Sequence, residues 1–317
     1  MQNERRSASD YSDEVDLGEL LAVLWAGKKI IVVVTAVFAL VSVIYALSIA
    51  NEYKATAVIS PSQGSGSSML GSMSSQLGGL ASLAGINVGG NSGGESERAL
   101  EIMKSQSFIV EFIEKNDLAV PLMAVYGWDR ISDQLEIDAD LFNSETKTWL
   151  REAVPGRSSE PTSWELYQAF LARLTVTEIN KGGLVAISLE YFSPEHTRDW
   201  VDKFTTAINE HMRERKLQQV NRNIQYLEVQ IEKTAIADMR EVFYEIIEEQ
   251  VKSKMLAEAT PEYVFSTVNR AMLPEIKSKP SRALICVLIT LLGSLIGALL
   301  VLATPFVTKS RLQRKLS

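Results

Sequence analysis

The chain has 317 residues, with 32 Lys and Arg against 39 Asp and Glu, 46% apolar residues and a mean hydropathy just above zero. So many apolar residues beside 22% charged ones imply segregation into membrane and aqueous parts, and exclude disorder throughout. One Cys and two His exclude a disulfide framework, a Cys-rich metal site and most His-based catalysis, and a net charge of -7 argues against nucleic-acid binding.

Residues 30–50 (IIVVVTAVFALVSVIYALSIA) and 283–307 (ALICVLITLLGSLIGALLVLATPFV) are uncharged runs of 21 and 25 residues, each long enough to cross a bilayer as a helix. The first run exceeds a signal-peptide core of roughly 7 to 15 residues and follows a leader that is acidic and then basic, so an uncleaved anchor is expected. Lys28 and Lys29 precede the first span, and Lys309, Arg311, Arg314 and Lys315 follow the second. This bias places both termini in the cytoplasm. The expected organisation is a tail at 1–29, spans at 30–50 and 282–307, an outer domain at 51–281 and a second tail at 308–317. Neither tail has room for an enzyme. Gly27, Lys28 and Lys29 lack the rest of a phosphate loop and read as membrane-flanking charge.

The outer domain holds 23 Lys and Arg against 33 Asp and Glu, a net charge of -10. Cys286 falls inside the second span, so this domain has no thiol, as suits an oxidising compartment. Residues 52–60 (EYKATAVIS) alternate as a strand leaving the membrane, closed by Pro61 and expected at the sheet's membrane-proximal edge. Residues 62–94 are rich in Gly, Ser and Met, a long loop with an apolar island at 77–88. Leu77, Leu80, Leu83 and Ile86 share one face of a short helix there, which either docks on a neighbour or the membrane surface, or packs on its own domain.

After Glu95, Leu100, Met103, Ile109, Phe112 and Ile113 recur at helical intervals, predicting one helix to about Lys115 that covers a sheet. Residues 117–162 read as irregular structure with short helices. LTVTEIN and LVAISLEYF, separated by a turn with Gly182 and Gly183, are the best hairpin signal in the chain. Ser193, Pro194 and Glu195 then supply an N-cap, an N1 proline and an acidic first turn. No convincing breaker follows until Thr260 and Pro261, so one helix over about 194–259, roughly 100 Å at 1.5 Å per residue, is predicted. Such a helix projects from its domain. Ile224, Leu227, Ile231, Val242, Ile246 and Ile247 must then meet a returning segment or a neighbouring subunit, which points to a homo-oligomer. The expected fold is an α/β domain, a small mixed sheet plus a very long helix, between two transmembrane helices.

Catalytic readings fail on context. Gly90 to Gly94 match G-x-S-x-G around Ser92, but inside a Gly- and Ser-rich stretch where chance matches abound. His196 and His211 are fifteen residues apart on one helix, roughly 22 Å, too far to share a metal or a proton. Glu241, Glu245, Glu248 and Glu249 at mixed three- and four-residue spacing form a solvated face rather than an acid–base pair. No catalytic residue, cofactor or metal ligand is assigned. Gly293 and Gly297 in the second span form a small-xxx-small pair that lets helices approach closely.

Residues 239–285 (MREVFYEIIEEQVKSKMLAEATPEYVFSTVNRAMLPEIKSKPSRALI) resemble the C-terminal half of Wzz-type chain-length determinants, the polysaccharide co-polymerases. The resemblance also takes in NEYKATAVIS, the LGGLASLAGI island, the Gly182–Gly183 hairpin and the two-span topology; residues 117–162 are its weakest part. The family's proline-rich segment before the second span matches at Pro274 and Pro280, with the intermediate proline replaced within IKSK. Prolines keep that segment extended and fix how the outer domain meets the membrane, unless it is a plain linker. The resemblance implies a non-enzymatic ring of identical subunits in the bacterial inner membrane with a periplasmic body. It would set the chain length of O-antigen lipopolysaccharide, with a separate membrane polymerase and a lipid-linked glycan as partners. Alternatives are an adaptor for capsule or exopolysaccharide export or for a separate cytoplasmic tyrosine kinase, and a two-span receptor, for which the ten-residue tail is too short.

Overall fold

The computed structural model describes residues 24–62, 92–152, 156, 158–179 and 183–315, with side chains given through residue 303. The apolar island at 77–88 lies outside these residues. The chain divides into two compact units, residues 1–49 with 279–317, and residues 50–278.

The first unit contains α1 (Lys28–Ser48) and a C-terminal helix, Arg282–Lys315, of which Arg282–Ala303 is apolar; both are long and apolar enough to cross a membrane. They pair antiparallel through their smallest residues. A Cβ added at Gly293 would lie 2.5 Å from Phe38 Cβ, one at Gly297 would lie 3.2 Å from Ile31 Cα, and one at Gly27 would collide with Val301. Apolar side chains on the faces turned away from this packing, Val33, Leu40, Ile44, Leu291 and Leu295 among them, are exposed, as suits a lipid environment.

The second unit is built on a five-stranded sheet ordered β6-β7-β1-β8, with β9 also on β1. These are β1 (Glu52–Pro61), β6 (Leu174–Glu178), β7 (Val185–Tyr191), β8 (Phe265–Asn269) and β9 (Lys277–Lys279). The strand leaving the first span was expected at an edge, but β1 is internal. It pairs with β7 from Tyr53↔Tyr191 to Ile59↔Val185, and β8 and β9 share its other side. Its alternate residues Ala55, Ala57 and Ile59 bury one face against the core, while its backbone pairs along both edges. The predicted hairpin forms β6 and β7 in register Leu174↔Leu189, with Gly183 at φ +78° in its turn, a conformation that disfavours other residues.

The helix predicted from Glu95 to Lys115 is two: α2 (Ser92–Met103) and α3 (Gln106–Lys115). Ser105 takes an extended backbone and accepts the Phe108 N–H, capping α3 in mid-pattern. Residues 117–162 contain α4 (Ala119–Met123), two small antiparallel ribbons, β2–β3 (Val125–Asp129 and Gln134–Ile137) and β4–β5 (Phe142–Asn143 and Thr148–Trp149), and then α5 (Ser163–Leu171) follows. Phe108 and Phe112 of α3, Phe170 of α5 and Phe204 of the next helix meet at ring separations of 5.1–5.5 Å, the centre of the core.

The single helix over 194–259 is corrected to two, α6 (Pro194–Lys233) and α7 (Ala237–Ala259). Thr234 and Ile236 adopt extended backbones between them, and both are β-branched. The Thr234 hydroxyl donates to the Gln230 carbonyl, closing α6, while Asp238 puts a negative charge in the first turn of α7. The side chain of Asn209 on α6 holds the backbone of Val264 and Phe265 just after α7. From Asn209 to Lys233 the chain climbs about 36 Å, and the 23 residues of α7 return about 34 Å, so α7 runs antiparallel to α6 as a helical hairpin. The C-terminal helix is α8 (Arg282–Lys315).

Candidate functional site

Two surfaces stand out, the helical hairpin and the segment between β8 and α8. On the hairpin, Val220 and Leu227 of α6 and Ala257 of α7 are buried, and Ile224, Ile231, Ile246 and Ile247 are half-buried, so the returning segment covers part of the stripe foreseen from the sequence. Much remains uncovered: Tyr226, Met239, Tyr244, Met255 and Leu256 are all exposed.

Beside them Glu241, Glu245 and Glu248 line an open depression of about 420 Å³ with Ala237, Arg240 and Tyr244. Lys252 donates a hydrogen bond to Glu248 across 2.7 Å, which lowers the carboxyl's pKa and raises that of the ammonium. This is the solvated face expected. Neither histidine is part of a polar cluster suited to chemistry: His196 Nδ1 lies 3.0 Å from its own N-cap Ser193 Oγ, and His211 stacks edge-on to Phe108 with Glu111 at 3.6 Å. Among the described residues no group of three or more His, Cys, Asp or Glu is placed to hold a metal. Ser92 begins α2, and Gly90 and Asn91 lie outside the described residues.

In the first turn of α2, Glu95 ties three segments. Tyr263 donates its hydroxyl to Glu95 Oε2 at 3.1 Å, and Lys216 of α6 lies 3.6 Å from Oε1. Burial and the adjacent carboxylate push the Tyr263 hydroxyl well above its usual pKa. Sequence reasoning missed this clasp because its members are 121 and 47 residues apart.

The segment after β8 is pinned at both ends. The Ala271 N–H donates to Asp202 Oδ1 of α6 at 3.2 Å, Lys277 Nζ lies 3.3 Å from Asn51 Oδ1, and Ser278 donates to Glu190 Oε1 at 3.0 Å. Between the pins Met272 is 83% exposed and Ile276 is 82% exposed, with Leu273 exposed too. Pro274, half-buried, sits in the middle and keeps the backbone irregular. Pro280 follows β9, and Gly293 and Gly297 face the first span as described. The three exposed apolar positions were signalled only by the mixture of apolar and basic residues in RAMLPEIKSK.

Comparison with known proteins matches residues 13–116 to the Wzz family, described as chain length determinant protein. No curated protein matches the chain. Among solved structures, a full-length bacterial polysaccharide co-polymerase is 15% identical, with 93% of this chain and 99% of that one covered and a TM-score of 0.40. A fragment of WzzB, polysaccharide co-polymerase from Salmonella Typhimurium, is 13% identical over 72% of this chain and all of that one, TM-score 0.29. The family match covers the first span, β1, the Gly- and Ser-rich loop, α2 and α3, whereas the resemblance at 239–285 lies beyond it. Residues 13–116 thus carry the Wzz chain length determinant signature that the resemblance of the sequence implied.

Proposed function

We propose that this protein is a non-enzymatic regulator of polysaccharide chain length in the bacterial inner membrane, acting on O-antigen lipopolysaccharide as a co-polymerase beside a separate membrane polymerase. The family match at residues 13–116 carries this reading. Two candidate spans support a two-pass protein with both termini cytoplasmic and residues 50–278 periplasmic. The exposed apolar residues of α7, Met239, Tyr244, Met255 and Leu256, support a ring of identical subunits, because a projecting hairpin too thin to bury them leaves a neighbouring copy to cover them. The lipid-linked glycan grows alongside that ring. Pro274 and Pro280 set how the periplasmic body meets the membrane, and Gly293 and Gly297 hold the spans together. The test is gain of function: the full chain, expressed in a host whose own chain-length determinant is deleted, restores a clustered O-antigen length distribution. A distribution that stays random argues against the reading.

A further inference from the structure

We infer that residues 272–276 form a membrane-surface anchor, seated in the headgroup layer of the leaflet on the domain's side. Three observations converge on lipid as the occupant. The first is exposure: Met272 and Ile276 are more than four-fifths exposed on a loop held at Ala271 and Lys277, so the fold presents these side chains outward rather than leaving them in a free tail.

The second is chain length. Lys277 is bound to Asn51, which is two residues beyond Ile49, the C-cap of the first span. Two residues reach at most about 7 Å. The polar layer on each side of the hydrocarbon is about 5–8 Å deep, so Asn51 cannot leave it by much. Downstream, α8 begins four residues after Ser278. The loop is therefore bracketed by the exit of one span and the start of the other, whatever the tilt of the domain. Close to the same point, Tyr53 packs edge-on against Trp128 with ring centroids 5.9 Å apart, an aromatic pair of the kind enriched at the membrane–water interface.

The third is charge. Within residues 270–282, Arg270, Lys277, Lys279 and Arg282 flank the apolar residues against Glu275, while the Asp202 and Glu190 carboxylates are taken up in the hydrogen bonds that pin the loop's ends, in a domain that is otherwise acidic. Apolar side chains between basic ones suit an interface with anionic headgroups. Pro274, half-buried between them, keeps this stretch out of a helix, so its exposed side chains are carried by an extended loop.

The experiment uses the full chain carrying Cys286→Ser, with a single new thiol from Met272→Cys or Ile276→Cys, labelled with an environment-sensitive fluorophore. A control thiol from Ala235→Cys sits at the far end of the hairpin. The protein is reconstituted in vesicles of phosphatidylethanolamine and phosphatidylglycerol, with and without lipids bearing a nitroxide at the headgroup. The expected result is blue-shifted emission at 272 and 276 that nitroxide lipid quenches at least twofold, and neither effect at 235. Two results overturn the inference: emission as in water at both positions, or a blue shift without lipid quenching, which would mean that protein, such as a second copy, covers the loop. Using two labelled positions keeps the test decisive if one variant fails to fold.

Discussion

Asn209 Oδ1 accepts the Phe265 N–H at 2.9 Å while its Nδ2 donates to the Phe265 carbonyl at 2.9 Å, pairing a buried side chain of α6 with the first residue of β8 in both directions. The same oxygen accepts the Val264 N–H at 3.0 Å. The amide thus completes the backbone of the strand start on the edge away from β1, whose Pro61 pairs with Phe265 on the other side. It also fixes where the chain comes down after 56 residues, and hence the length of the helical hairpin.

Asn209→Leu leaves two buried N–H groups and a carbonyl unpaired, and lowers stability by roughly 2–4 kcal/mol. Thermal unfolding of the detergent-solubilised full chain, followed by circular dichroism, measures it. A loss below about 0.5 kcal/mol contradicts the assignment.

Gly293→Val drives a branched side chain into Phe38, whose Cβ and Cγ lie 2.5 and 2.7 Å from where a Cβ would sit. The spans separate locally, at a cost of about 1–3 kcal/mol. Phe38→Ala in the same chain relieves the collision. Disulfide trapping between thiols placed in the two spans follows this, with efficiency falling in the single variant and recovering in the double one. Equal losses in both would show that the glycine does not pack against Phe38.

Glu165 carries a pH dependence. Arg151 donates to both of its oxygens, at 3.2 and 2.8 Å, and the Thr162 N–H adds a third bond, holding the carboxyl at about 2. A carboxyl depressed by folding contributes stability that is present above its unfolded value, near 4.5, and is lost as pH falls through about 2. Glu165→Gln is therefore less stable than the parent at pH 7, by a modest amount because the group is 40% exposed, and the gap closes on acidification. Urea titrations at pH 7 and pH 3 read it; a gap that widens at pH 3 refutes the pairing.

Tyr244→Glu with Met255→Glu places two charges on the uncovered face of α7, where both side chains are exposed in a single chain. The fold is retained and the assembly falls to smaller species, read by mass photometry in detergent. An unchanged mass would place the subunit interface elsewhere.

Much of this was legible in advance. The spans declare themselves by twenty or more uncharged residues, β1 and the β6–β7 hairpin by strict alternation and a glycine turn, and the start of α6 by Ser193 and Pro194. The breaks were harder. Nothing at Thr234 or at Ser105 is a proline or glycine, and both residues end or begin a helix through a side-chain hydrogen bond that competes with the helical pattern only when tertiary packing favours it. The internal position of β1 escaped because its partners β8 and β9 lie more than 200 residues away, and pairing at that separation leaves no local trace. Exposure of Met272 and Ile276 was equally hidden: an apolar residue gives the same sequence signal whether it faces a core or a bilayer.

The most direct measurement is the length distribution of lipopolysaccharide from cells that carry or lack this protein, resolved on a silver-stained gel. The account predicts that a clustered set of long O-antigen bands collapses to a random ladder on deletion and returns with the full chain. An unaltered cluster, with loss of capsule or exopolysaccharide instead, would contradict it and assign the protein to export.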